Sequence, residues 1–275
     1  MASRFLKAAG IAVTLGAIGA IMVAERARPM RRQTREALPR IGRNLAMGAA
    51  CQAVILLSEA PATQAIARRN QAERRGLQNW LGGGMLGKTA AFLAMDYGFY
   101  LWHIATHKIP FLWRFHRVHH IDPDMDMSTA LRFHFADMLV SLPWRLVQVR
   151  ISGVGPAMLN RWQVFFLLSV LFHHSNMRLP KGWDARLSRV ITTPNMHGIH
   201  HSQDWSEMDS NWTSGIAIWD HLHGTFRDDV TQTDIVIGVN DPLAEQDLEL
   251  LPAILAPARD ITPAKGLPKE HSRKR

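Results

Sequence analysis

Asp96–His120 reads DYGFYLWHIATHKIPFLWRFHRVHH, and five of the chain's 14 histidines fall inside it. His103 and His107 stand four apart; His116, His119 and His120 follow at i, i+3 and i+4. Residues three or four apart share one face of an α-helix, so both spacings stack imidazoles. Pro110 ends or kinks the helix of the first pair, and a second helix carries the other three. Downstream, His174 lies in FHHSN, and NMHGIHH repeats the HxxHH spacing with His197, His200 and His201. Imidazoles converging in this way suit a metal held at about 2.0–2.1 Å.

Apolar segments surround these boxes. Ala8–Ala24 is a 17-residue run without a charge. It is short for a membrane span and follows a basic start, as a signal peptide does. The RARPMRRQTR that follows favours a retained, cytoplasm-facing anchor. Asn44–Glu59, extendable to Ala67 with a kink at Pro61, Leu81–Trp102, Ala136–Val149 and Pro156–Phe172 are the other apolar segments. The fold class expected is all-α: an integral membrane helical bundle bearing a cytoplasmic, histidine-rich helical metal-binding region. RRNQAERRG, between the second and third segments, would lie outside in a five-span arrangement. A re-entrant second segment would relieve that conflict. The formal net charge of +9 flanks apolar runs, which fits anionic lipid better than nucleic acid. Cys51 is the only cysteine, so an internal disulfide and cysteine-based zinc sites are excluded.

Asp96 is the only acid in the third segment, and such a residue invites a functional reading. It shares a helical face with His103 and His107, with Tyr100 nearby. It is too far along one straight helix to reach His103. Asp96 is therefore expected to accept a hydrogen bond from a histidine of HRVHH or NMHGIHH, against pairing with Lys88 or a backbone group. Asp122–Asp126 (DPDMD) reads as a solvated acidic turn. From Leu179 the composition is that of a soluble region. Thr193-Pro194 is an N-cap and first helical position. Asp234–Val239 reads as a short strand, Asp247–Leu255 as a helix, and KEHSRKR as a disordered tail.

Imidazole ligation without cysteine suits iron, zinc, copper or nickel. Nine histidines at helical spacing exceed one closed four-ligand site and suit two metals. The boxes hold no acidic residue, whereas hydrolytic two-metal sites usually use several. DxxxYxxHxxxH at 96–107, HRVHH at 116–120, LRFH at 131–134, FHHSNMRLP at 172–180, TPNMHGIHHS at 193–202, SNW at 210–212 and WDHLHGTF at 219–226 together resemble the sterol desaturase branch of the fatty acid hydroxylase superfamily. The likeness runs from about Asn44 to Phe226.

The resemblance implies a non-haem di-iron centre, with zinc as a possible substitute. It implies O2-dependent hydroxylation or desaturation of a lipid C–H bond, with electrons from a separate donor protein. Its metal ligands would be His103, His107, His116, His119, His120, His174, His197, His200 and His201. Asp220 and Asn211 match family positions and would support the ligands alongside Asp96, Asn211 also orienting a water. His173 reads as packing beside the ligands, and His134 as either structural or metal-bound. His221 and His223 depart from the family pattern and are left out of the site. Residues 1–43 would be anchor and basic linker, 44–227 the hydroxylase-like domain, and 228–275 an extension. The rival function is a non-catalytic membrane protein with a structural or storage zinc site.

Overall fold

The computed structural model describes residues 2–241 and 244–259. Among them the chain is helical, with no strand and three isolated bridges. Thirteen α-helices follow in order: α1 Ala2–Ala27, α2 Ala37–Val54, α3 Ala60–Glu73, α4 Leu77–Trp80, α5 Met85–Lys108, α6 Pro110–His120, α7 Phe135–Ser152, α8 Pro156–His174, α9 Trp183–Leu187, α10 Pro194–His200, α11 Trp205–Met208, α12 Ile218–His223 and α13 Leu250–Leu255.

The long helices run up and down, and their arrangement puts all the histidine boxes at one end. α5 and α8 run toward that end and finish on His107 and His174, while α2 and α7 start there. The second apolar segment does not turn back on itself. It continues from α2 through a π-helical turn, Ile55–Glu59, into α3. Pro61 explains the turn: it lacks an N–H, and its ring crowds the carbonyl four residues back, which a wider turn relieves. At the far end, the corner after α3 meets the corner after α7. Gly76 and Gly153 both have positive φ, and a Cβ on Gly76 would lie 2.4 Å from the Gly153 Cα. Only glycine tolerates both conditions. Asn70 clamps this contact by donating to the carbonyls of Val149 and Val154. Between the two ends, Ala67, Met95, Val149, Leu159 and Trp162 form the core.

Two helical stretches, Ala9–Ala27 and Ala37–Trp80, are long and apolar enough to cross a membrane. α5, α7 and α8 carry the other expected segments but fall short of that apolarity among the described residues. Polar positions account for this: Asp96 and His103 in α5, and Asp137, Arg145 and Gln148 in α7.

Three further expectations are corrected. The acidic turn is not solvated: Asp122, Asp124 and Asp126 are 1%, 3% and 4% exposed. The buried Arg40 reaches Asp122 at 3.3 Å and also pairs with Asp126. Asp124 accepts from the backbone N–H groups of Thr34 and Arg35. Ion pairing, invisible to a local reading, keeps these charges inside. No strand forms at 234–239; that stretch makes a single bridge, Ser202 to Ile237. The helix at 247–255 is split into a 3-10 turn, Gln246–Leu248, and α13. The tail lies outside the described residues.

The basic linker and the C-terminal extension both pack against the histidine end. Glu25, at the end of α1, accepts from the N–H groups of Met127 and Asn176. Arg117, between two histidines of α6, pairs with Asp241 and Asp247.

Candidate metal centre

Thirteen of the chain's 14 histidines are described, and the boxes converge at the histidine end in two groups of four. His103, His107, His120 and His200 form one; His119, His174, His197 and His201 form the other. All eight are buried, and within each group the candidate ligand atoms lie within 4.8 Å of one another. Four nitrogens around one ion at about 2.1 Å can be at most about 4.2 Å apart. Small side-chain rotations therefore close each group onto an ion. α6 contributes to both, because neighbours His119 and His120 point to different sides: their rings are 5.2 Å apart and at 89°.

The hydrogen bonds test whether a cation fits. His119 Nδ1 faces the Arg132 carbonyl at 3.2 Å, and His174 Nδ1 faces that of Val170 at 2.8 Å. A carbonyl only accepts, so both Nδ1 atoms carry the proton and both Nε2 atoms present lone pairs. Yet those two Nε2 atoms are 2.9 Å apart. The other group repeats the pattern. His103 Nδ1 donates to the Trp212 carbonyl at 2.7 Å and His200 Nδ1 to that of Ser210 at 2.9 Å, while their Nε2 atoms stand 3.1 Å apart. Facing lone pairs repel unless a cation lies between them, so the donor sets fit metal ions. Burial also pushes the imidazoles of His119, His120, His197 and His201 well below their usual range, and those of His174 and His200 to about 3. They are neutral and ready to ligate.

His116 joins neither group. Its ring lies 4.9 Å from that of His107 and 5.3 Å from that of His119, between the two. Its Nδ1 is 3.5 Å from the buried Asp137 carboxylate, and its Nε2 has no hydrogen-bond partner. His173 is buried and packs its ring 4.0 Å from that of His197. His134 is structural: its Nδ1 caps α7 by accepting from Ala136 N–H, and its Nε2 donates to the Ile254 carbonyl at 3.0 Å. His221 bonds the Ser188 carbonyl and His223 the Tyr97 hydroxyl, both away from the groups of four.

Asp220 and Asn211 act through the loop at 210–213. Asp220 accepts from Trp212 N–H at 2.9 Å, Thr213 N–H at 3.0 Å and the hydroxyls of Thr213 and Thr225. It thereby fixes the loop whose Trp212 carbonyl orients His103. Burial raises the Asp220 carboxyl above its usual range, and these bonds work against that. Asn211 sits at φ 53°, a left-handed conformation that asparagine tolerates. Its amide donates to the carbonyls of Met196 and Arg227 and accepts from Arg227 N–H. Its side chain is committed to the backbone, which leaves it no part in orienting a water. The expected Asp96–histidine bond is not made either. Asp96 accepts from Ile216 N–H at 3.0 Å and the Trp219 indole N–H at 2.8 Å. Gly215 permits this approach, since a Cβ there would lie 2.2 Å from Asp96 Oδ1.

The sequence profile described as fatty acid hydroxylase matches residues 89–225. That range contains every histidine of both groups. The chain belongs to the fatty acid hydroxylase superfamily. It is 28% identical over 154 residues to an alkylglycerol monooxygenase of Homo sapiens, covering 56% of this chain and 33% of that protein. It is 29% identical over 151 residues to the ornithine lipid hydroxylase OlsE of Rhizobium tropici, covering 54% and 44%. With the cholesterol 25-hydroxylase of Homo sapiens the identity is 28% over 138 residues, 49% of each chain. The chain thus spans a third to under half of the first two relatives. No solved structure matches it.

Sequence reasoning missed the groups that orient the imidazoles. Most are backbone carbonyls, which any residue type supplies. Arg132 is the exception, a buried cation in the quoted LRFH. It holds its own carbonyl toward His119 by donating to Val118, Asn44, Asp247 and Leu248.

Proposed function

We propose that this protein is a membrane-bound lipid hydroxylase of the di-iron type, acting on a C–H bond with O2 and electrons from a separate donor protein. The observation that carries the reading is the pair of facing lone-pair nitrogens in each of two all-histidine groups. The relatives named as lipid hydroxylases and monooxygenases support the substrate class. His103, His107, His120 and His200 would hold one iron, and His119, His174, His197 and His201 the other. His116 lies between them, where its free Nε2 can ligate or hold a proton. Bound iron would supply the oxygen activation that no side chain can provide.

The chain's own residues supply geometry and dryness. Asp220 and Asn211 hold the 210–213 loop, and through its carbonyls the tautomers of His103 and His200. Arg132 does the same for His119. Asp96 keeps the 215–219 segment against α5 and is a positioning residue. The indoles of Trp113 and Trp212, 4.9 Å and 4.8 Å from the His107 ring, exclude water from the first group. The histidine end would face the cytoplasm, as the basic run after α1 suggests. Hydroxylation rather than desaturation is the reading that the relatives' names favour.

The test is metal analysis of protein purified without chelator, combined with oxygen uptake in the presence of reductant and cellular lipids. Two irons per chain and an oxygenated lipid product are expected. Two zincs with no oxygen uptake, even after iron reconstitution, would establish the storage reading instead. Comparison of lipids from cells with and without the protein identifies the substrate.

A further inference from the structure

α12 is too short to be a span, and its outer face is apolar. Ile218 is 42% exposed and Leu222, one turn on, 67% exposed. The segment beside it extends the same surface. The backbone of Val190 accepts from Ala217 N–H, Ile191 pairs with Ile216, and His221 bonds the Ser188 carbonyl. Val190 is 61% exposed and Trp183, at the start of α9, 50% exposed. Lys181, Arg186 and Arg189 are exposed around these residues.

The height of this surface in the fold indicates what covers it. α12 does not sit at the histidine tip of α5. It packs at the level of Asp96 and Tyr97: Trp219 bonds Asp96, its ring is 4.9 Å from that of Tyr97, and His223 bonds the Tyr97 hydroxyl. Asp96 is seven residues before His103, about 10.5 Å down the helix at 1.5 Å per residue. It lies midway along α5, where the half carrying histidines gives way to the half carrying Met85, Leu86 and Phe92. An apolar face with an indole and a cationic rim, at the junction of an apolar helical half and a polar one, has the make-up of a surface that lies in a bilayer interface.

We propose that α12 and the 181–190 segment form an in-plane contact with the cytoplasmic leaflet. Leu222, Ile218, Val190 and Trp183 would enter the acyl boundary, and Lys181, Arg186 and Arg189 would contact anionic headgroups. The proposal rests on the membrane reading above and adds a lipid-facing surface that packs on the same helix as His103.

The test uses the full chain with Cys51 replaced by alanine and one spin label at a time, in nanodiscs. Labels go at Leu222→Cys, at Leu57→Cys on the long helix, and at Val236→Cys on the loop beside Ser202. Collision with oxygen, which partitions into lipid, is compared with collision with a water-soluble nickel chelate. The expected oxygen-to-nickel ratio at Leu222 approaches that at Leu57 and exceeds that at Val236 about fivefold or more. Adding phosphatidylglycerol to phosphatidylcholine discs should raise it further, and the Arg186→Glu, Arg189→Glu variant should cancel that rise. A lipid-like ratio at Leu57 with a water-like ratio at Leu222 overturns the proposal and leaves the membrane reading standing. A water-like ratio at both sites overturns both. A Leu222 label shielded from both reagents marks a protein partner and also overturns the proposal. No response to phosphatidylglycerol, or no effect of charge reversal, overturns the anionic-headgroup contact.

Discussion

Replacing Asp220 with alanine separates the two groups of histidines. The substitution strands two buried backbone N–H groups, those of Trp212 and Thr213, and removes the acceptor of two hydroxyls. The hydroxyls can rotate to other partners; the amides cannot. Each stranded amide costs about 1–3 kcal/mol, so the loss is roughly 2–6 kcal/mol, against a typical total of about 5–15 kcal/mol. The loop then relaxes, and the Trp212 carbonyl no longer holds His103. Losing such an orienting partner weakens metal binding by about 10–100-fold. That weakening falls on the His103 group, because the carbonyls orienting His119 and His174 belong to Arg132 and Val170. Asp220→Ala should therefore purify with about one metal per chain and a lowered Tm. Asp220→Asn keeps one acceptor oxygen for Trp212 and Thr225 but turns an amide N–H toward Thr213. It should lie between wild type and Asp220→Ala in both measurements. Metal analysis and thermal unfolding are the assays. Two tightly held metals in Asp220→Ala, or equal loss of both, would refute the argument that the loop acts on His103.

His107→Ala and His119→Ala should each purify with about one metal, from opposite groups, and lose oxygen uptake; unchanged metal content in either refutes its assignment. Metal-free protein should lose stability on acidification. His174 and His200 are held at about 3 when folded and return to about 6.5 when unfolded, so between those values the unfolded chain binds more protons. Stability is present above about pH 6.5 and falls by about 1.4 kcal/mol per imidazole per pH unit below it; a Tm flat from pH 7 to 4.5 contradicts this. Arg40→Met leaves Asp122 and Asp126 buried without their cation and should cost about 3–5 kcal/mol. Adding Asp122→Asn and Asp126→Asn should recover part of the lost Tm. Reporter fusions after His120 and after Arg227 should both report the cytoplasm, and an external signal from either refutes the proposed orientation.

The helical class and the histidine boxes were legible because both depend on spacing within a dozen residues. His116, His119 and His120 had to share a turn once their segment was helical, and Thr193-Pro194 had to start the helix of the last box. How nine candidates divide was not legible. His119 and His120 diverge by a rotation along α6, and His116 falls between groups because of where α7 places Asp137. The acidic turn misled for a related reason. Asp122, Asp124 and Asp126 look solvated in sequence, but their partners Arg40, Thr34 and Arg35 lie more than 80 residues upstream. Asp96 was correctly singled out as an unusual acid. Its partners, an indole and an amide more than 100 residues downstream, leave no mark on the local pattern. Near the C-terminus, Asp247 lies in the 3-10 turn that replaces the start of the expected helix and pairs with Arg117, 130 residues upstream, a partner that no local periodicity reveals.

The anchoring of the first 40 residues has a consequence in time. Glu25 waits for Asn176, 151 residues later, and Arg40 for Asp126, 86 residues later. At about 5–20 residues per second of synthesis, Arg40 remains without its carboxylates for several seconds and Glu25 without its amides for about 8–30 s. During that interval the first helix has emerged and the histidine end does not yet exist. The start of the chain must therefore stay loose, its charges in water, until the middle of the chain arrives to draw them in. Each group of four histidines is complete only once its last member emerges, His200 in one and His201 in the other.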